Sequence, residues 1–487
     1  MRTLRFAAAL SILLSCGLAQ SGAPAKLAER AQASSAMLDD TRELTDTIGG
    51  RPTGSDACER AVTWAAAKFR SAGIQNVAVE AFTVPRLWLG GKAEAAAIAP
   101  ETFPLRIAAA PMSPSTDGPL EAAVVDVGKG SAEDFAKAAQ RLKGAIALVR
   151  SDEMKTFDDL FAEYLRNPGL NEAAKKYGVK AMLLQSTRPR GLLYRHPISL
   201  TMDLAPVPTA VLSREQAGRL ARLADQGGVR VRLSIENKIG GAYQSHNVIA
   251  EIPGREKPNE IVLLGAHLDS WDLGTGANDN GVNAALVIDV ARGMQQLGIR
   301  PRRTIRFALF TGEEQGMVGS EEYVKRHKSE LEHFAAVVIF DVGSGHTSGF
   351  YLNGRDELRK PVDAALDAAG GFGPMQHLHD GIDGTDNFDF ALSGIPNLIA
   401  AEDPVPYLPD YHAESDTFDK VDVKEAKRND AMAAVLVLGL ADAPDRPAAR
   451  QTRGEVEKLL IDTKLDEQMK LFGQWDDFVA GKRGFAR

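Results

Sequence analysis

An α/β fold is predicted, with a mixed, mostly parallel twisted sheet sandwiched by helices, and three observations predict it. From Asn247 onward, apolar runs rich in Val, Ile and Leu alternate with helical segments, as expected of strands covered on both faces. The segment Val282–Gln296 carries its apolar residues at helical spacing. Imidazoles and carboxylates collect directly after the apolar runs, where open α/β sheets place their ligands.

Composition narrows the class. The 487 residues would fill two to four domains at about 150 residues each. With 44% hydrophobic and 25% charged residues the chain is ordinary globular material, which excludes disorder as the dominant state. The 57 basic and 65 acidic residues give a net charge of −8, so no basic excess exists to grip nucleic acid. Two cysteines, Cys16 and Cys58, exclude a disulfide scaffold and a Cys-rich zinc module. Beyond the N-terminus no apolar run approaches the ~20 residues of a membrane-spanning helix.

Residues 1–23 read as an export signal, with Arg2 and Arg5 ahead of an apolar core and small residues after it. The product is then periplasmic or secreted. Leu13-Leu14-Ser15-Cys16 also has the form of a bacterial lipoprotein box, which makes a lipid anchor on Cys16 the alternative. Residues 25–47 predict helix, and Gly49-Gly50-Arg51-Pro52-Thr53-Gly54-Ser55 a turn-rich loop. Asp56 and Glu59 have capping-box spacing ahead of the stripe Ala61, Trp64, Ala65 and Phe69. Residues 77–85 are extended. Between 118 and 240, short β-like runs (122–127, 145–149, 181–184, 209–212 and 229–233) are separated by helical segments, with no metal-type cluster of His, Asp and Glu. This stretch is expected to be an inserted, non-catalytic domain, leaving 24–117 and 241–487 as the catalytic one. There, strands are expected at 247–252, 261–266, 304–310, 335–340 and 397–400, with closing helices around Met432, Val435, Leu436 and Leu440 and over 459–472.

The strand ends carry the chemistry. One run leads into His267-Leu268-Asp269, another into Thr311-Gly312-Glu313-Glu314, and a third into Asp341. Asp279 precedes a helix, and His412 lies in a polar loop after the last strand. Each is ordinary alone; together they form a ligand set suited to zinc, whose bonds to imidazole and carboxylate are about 2.0–2.2 Å. A carboxylate can bridge two cations ~3.5–4 Å apart, and Asp279 on its short loop is the bridging candidate. Asp269 shares a face with His267 in an extended chain, so it is expected to accept the second imidazole N–H and fix the tautomer. Glu313 and Glu314 cannot share a face; one would ligate and the other face the attacking water as general base. Asp386 and Tyr407 are candidate substrate contacts. For a substrate carboxylate the available cations are Arg303, Arg306 and Arg355; for a substrate amine the available anions are Asp383 and Asp386.

These residues resemble metallopeptidase family 28, the co-catalytic zinc exopeptidases, and its carboxypeptidase branch in particular. The resemblance runs through the loop Gly49 to Ser55, His267-Leu268-Asp269-Ser270-Trp271-Asp272, Asp279-Asn280-Gly281, residues 303–316 and the spacing of His412 to Thr417. The insert, 118–240, resembles a protease-associated (PA) domain through Gly144-Ala145-Ile146-Ala147-Leu148-Val149-Arg150, Gly178-Val179-Lys180-Ala181 and Pro208-Thr209-Ala210-Val211. The resemblance implies the zinc exopeptidase fold and two Zn2+ per chain. His267, Asp279 and Asp341 would hold one ion, and Asp279, Glu314 and His412 the other. Glu313 would be the base, with Asp269 orienting His267. It further implies hydrolysis of dipeptides or short peptides in the carboxypeptidase manner, with C-terminal cleavage favoured, and a homodimer. Tyr411 departs from the pattern, because a second histidine is expected beside His412; terminal-residue recognition is what that departure touches. Three alternatives stay open: an aminopeptidase of the same family, a non-catalytic receptor-like binding protein on the same scaffold, and a single-zinc acyltransferase of the glutaminyl cyclase type.

Overall fold

The computed structural model describes residues 22–199 and 201–486. The expected export segment up to residue 21, including Cys16, lies outside the described residues. Fifteen strands are named in chain order among those described. They are β1 (Asn76–Val84), β2 (Leu87–Ala99), β3 (Phe103–Leu105), β4 (Ile107–Ala109) and β5 (Leu120–Asp126). Next come β6 (Ile146–Val149), β7 (Ala181–Gln185), β8 (Thr209–Leu212), β9 (Arg230–Gly240) and β10 (Tyr243–Ile252). The last are β11 (Lys257–His267), β12 (Arg303–Phe310), β13 (Phe334–Ile339), β14 (Thr347–Tyr351) and β15 (Asn397–Glu402).

These strands form two sheets. The first is seven-stranded in the order β1-β10-β12-β11-β13-β15-β14. Its centre, β12-β11-β13-β15, is parallel, while β10 and β14 join antiparallel on the two sides and β1 pairs antiparallel with β10. β12 and β13 are buried along their whole length; β13 therefore reads as an unbroken apolar run rather than alternation, and β12 does so from Phe307 to Phe310. The helices Asp56–Ser71, Val282–Gln296 and Val423–Asp442 pack their apolar residues with one face of this sheet. Phe310, Tyr323, Phe334 and Phe390 belong to a second apolar cluster, built around Leu263, Val337 and Ile339. The consequence for function is directional. The carboxyl ends of β11, β12, β13 and β15 all reach one edge.

The second sheet is eight-stranded, in the order β3-β2-β9-β5-β6-β7-β8-β4. The stretch expected to be an insert from 118 therefore shares its sheet with β2, β3 and β4, which precede that boundary. The alanine-rich run of β2 is a strand because it pairs with β9 over most of its length. Four helices, Ala132–Leu142, Phe157–Leu165, Asn167–Tyr177 and Arg214–Gln226, lie among its strands, so this layer is α/β rather than simply β-rich. Two smaller expectations also shift. The cap of the helix Asp56–Ser71 is Ser55, whose side chain accepts from the Cys58 amide, one residue before the expected position. The closing helix expected over 459–472 is two, Arg453–Asp462 and Leu465–Leu471. Among the described residues no helix is long and apolar enough to cross a membrane.

Candidate metal centre

Two groups of ligand-type side chains meet at the carboxyl edge of the first sheet and share one member. His267, Asp279 and Asp341 form one group; Asp279, Glu314 and His412 form the other, each with its ligand atoms within 4.8 Å of one another. His267 ends β11, and its Nε2 lies 3.2 Å from Asp279 Oδ1 and 2.9 Å from Asp341 Oδ1. His412 Nε2 lies 3.3 Å from the other Asp279 oxygen and 2.8 Å from Glu314 Oε2. Asp279 thus faces both imidazoles, one through each oxygen. Both glutamates of the turn after β12 border the adjoining cleft, but only Glu314 places an oxygen in a ligand group.

Surrounding main chain fixes these side chains. His267 Nδ1 is 3.0 Å from the carbonyl oxygen of Asp269, against 3.6 Å from its carboxylate. The main chain is thus nearer than the expected carboxylate partner, whose Oδ2 accepts from Thr53 at 2.7 Å while Oδ1 is without a hydrogen-bond partner. His412 Nδ1 is 3.0 Å from the carbonyl oxygen of Arg195, a residue of the second layer. With each Nδ1 facing a carbonyl oxygen, Nε2 is the ring atom presented to the cluster. His412 is held at φ 58°, a left-handed conformation uncommon for a residue with a Cβ. Asp279 is set by Asp416, which accepts from the Asn278 and Asp279 amides at 2.8 and 3.1 Å. Asn280 donates to Asp341 Oδ1 at 2.9 Å. Arg51, fully buried, donates to the carbonyls of Leu268, Thr275 and Gly276 and so ties the loop Gly49 to Ser55 to this edge. Gly276 is required there: at φ +61°, a Cβ would sit 2.3 Å from that of Ser270.

The electrostatics fit cations. Burial pushes Glu313 and Glu314 well above the usual carboxylate range, and neighbouring acids add to it. Asp341 is raised by burial too. Burial also pulls the His412 imidazole down to about 4, leaving it neutral. For His267 burial acts in the same sense, but Asp341 and the other carboxylates outweigh it and hold the ring well above its ordinary value. Asp279 Oδ2 and Glu314 Oε1 are buried without a hydrogen-bond partner. So many converging acids require protons or cations to offset their charge, and neutral imidazole with carboxylate is a donor set for zinc.

The cleft beside the cluster holds about 560 Å³, lined by Glu313, Tyr407, Tyr411, Asp383 and, from the second layer, Phe157, Phe161 and Tyr164. Tyr407 is thus at the cleft, where its hydroxyl neighbours Asp279. Asp386 is not: it is fully buried and absent from the cleft wall, with His267 and Asp341 as charged neighbours. Tyr411 stacks on His412 with ring centroids 3.6 Å apart, and its hydroxyl meets that of Tyr164 at 3.0 Å. The three expected cations point elsewhere. Arg303 pairs with Glu260, Arg306 with Glu251 and Glu330, and Arg355 with Glu357. Arg51, Thr53, Arg195 and Asp416 were not singled out by sequence; the first two lie in the glycine-rich loop and Asp416 four residues after His412, but none carries a periodic signal.

An α/β sheet with two ligand clusters sharing a carboxylate at its strand ends is the architecture of a metallohydrolase. Residues 247–437 match the model of peptidase family M28. Carboxypeptidase Q of Mus musculus is 30% identical over 403 residues, 82% of this chain and 84% of that protein. A peptidase M28 precursor of known structure from Shewanella amazonensis SB2B is 29% identical and superimposes with a TM-score of 0.78, over 88% of this chain and 97% of that one. The zinc aminopeptidase BSAP from Bacillus subtilis shares the fold, with a TM-score of 0.67 at 21% identity over 87% and 97% of the two chains. The chain belongs to peptidase family M28 and is a zinc metallopeptidase.

Proposed function

We propose that this is an exported di-zinc exopeptidase that hydrolyses dipeptides and short peptides, with Glu313 as general base. The observation that carries the reading is Glu313 itself: a half-buried carboxylate outside both ligand groups, lining the cleft beside them. His267, Asp279 and Asp341 would hold one zinc and Asp279, Glu314 and His412 the second. Bound there, the two cations would lower the pKa of a shared water toward neutrality and polarise the scissile carbonyl. Glu313 takes the proton of the attacking water and returns it to the leaving amine. A carboxyl raised by burial is matched to both tasks. The main-chain carbonyls of Asp269 and Arg195 keep the imidazoles in the ligating tautomer.

The cleft wall bears on which end is recognised. It includes Asp158 and Asp380 besides the cluster, and among the described residues that line it there is no Lys or Arg. A C-terminal carboxylate needs a cation; a free α-amine is attracted by such a wall. We therefore favour cleavage next to a free amino terminus, dipeptides included, over the C-terminal specificity that the name of the mouse relative suggests. The second layer, PA-like in our reading, contributes Phe157, Phe161 and Tyr164 as a roof that admits short peptides. A receptor-like binding role is disfavoured because the ligand set is complete, and a single-zinc acyltransferase because two clusters share Asp279. The test is an assay of one dipeptide in free, N-acetylated and C-amidated forms. Turnover of the free and amidated forms with loss of the acetylated one is expected; cleavage of the acetylated form alone would establish the carboxypeptidase alternative.

A further inference from the structure

One acid of the cleft has no part in the chemistry above. Asp383 lines the cavity and is only 5% exposed. No hydrogen bond or ion pair holds its carboxylate among the described residues, and Oδ2 is left without a partner. Its charged neighbours are Arg483 and Asp389. Arg483 is already committed, bidentate to Asp389 at 2.8 Å on both oxygens and 3.7 Å from Glu321. Asp386, three residues on, has His267 and Asp341 as charged neighbours, whereas none of the ligand residues is among the charged neighbours of Asp383. Met317, Tyr351, Ile382, Ile399 and Phe472 line the same cavity. Burial pushes the Asp383 carboxyl up to about 7, with Arg483 opposing. A buried carboxylate left unpaired in a cavity with apolar walls is costly unless a ligand supplies the partner.

We infer that Asp383 is a specificity residue, and that the cleft takes short peptides carrying a lysine or arginine side chain. The methylene stem would lie along the apolar wall and the cationic end would meet the carboxylate, the arrangement by which an acid at the end of a slot selects basic residues. This inference rests on the peptidase reading. Its test compares kcat/KM for Lys-Ala with norleucine-Ala, and for Ala-Lys with Ala-norleucine, in the zinc-loaded protein and its Asp383→Asn variant. A preference for lysine of tenfold or more in one pair is expected, falling to within about threefold in the variant and returning with Asp383→Glu. A ratio near one in the parent protein, or a preference that survives Asp383→Asn, would overturn the assignment. Failure to cleave any of the four peptides would instead count against the peptidase reading. Calorimetric titration of the Glu313→Gln protein with lysine amide and norleucine amide then still decides the role of Asp383: tighter binding of the lysine compound supports it, and equal binding refutes it.

Discussion

Glu313 and Glu314 are adjacent and chemically identical and both border the cleft, yet the turn after β12 brings only Glu314 into a ligand group. Glu313→Gln should lower kcat about 10²–10⁴-fold, the usual contribution of a positioned acid–base group, while both zinc ions stay bound. Glu314→Gln should instead lose metal, and elemental analysis beside kinetics separates the two. The gathering of His267 and Asp341 at one edge follows from strand geometry, and the glutamates sit in the turn just beyond β12, so these residues were legible as types at strand ends. Finer roles were not. The Asp269 carboxylate is engaged by Thr53, from a loop 216 residues away, and Asp386 is fully buried behind the site; neither fact leaves a trace in local spacing. Asp416 supports the Asp279 loop through two amides, but a single acid in a polar loop has no pattern to betray it.

The segment from Arg188 to Arg195 gives the second layer a direct hold on the metal site. Arg195 N donates to the His412 carbonyl at 3.0 Å while its own carbonyl takes His412 Nδ1, and Arg188 reaches the Tyr411 carbonyl at 3.1 Å. The Arg195 guanidinium pairs with Asp272 at 2.7 and 2.9 Å and with the Ala109 carbonyl at 2.7 Å. Because Asp272 is 30% exposed, removing its partner costs less than for a fully buried pair. Arg195→Ala should lower stability by about 2–4 kcal/mol, read from urea midpoints, and reduce zinc retention at the group containing His412. Acid should loosen the same layer. Burial holds His196 down to about 4, with Glu163 opposing, so between about pH 6.5 and 4 the unfolded chain binds a proton that the folded one refuses. Stability therefore falls as pH drops through that window, by up to about 3 kcal/mol from this group. His196→Gln should show a correspondingly smaller loss between urea midpoints at pH 7 and pH 4.5. Strands such as β13 were readable because burial on both faces leaves an apolar run. β2 was not: its Ala93 to Ala99 stretch is as compatible with helix, and only pairing with β9 decides it.

At the scale of the molecule, one sheet gathers three carboxylates and two imidazoles from five stretches of chain onto one buried edge, and the fold holds the acids there only if their charge is offset. Prolonged chelation should therefore lower the thermal midpoint and abolish peptide cleavage, and zinc should restore both. The α/β architecture and the site's position were readable from the alternation of runs and from the imidazoles and carboxylates at their carboxyl ends. The extent of the second layer was not, because β2, β3 and β4 join it across the expected boundary at 118. Asp279 is the one residue common to both ligand groups, which makes a metal count on its alanine variant decisive. Two zinc ions per chain are expected in the parent protein and none or a weakly held one in Asp279→Ala. A parent chain that binds one ion or fewer, or an Asp279→Ala chain that still holds two, would contradict a shared two-metal centre.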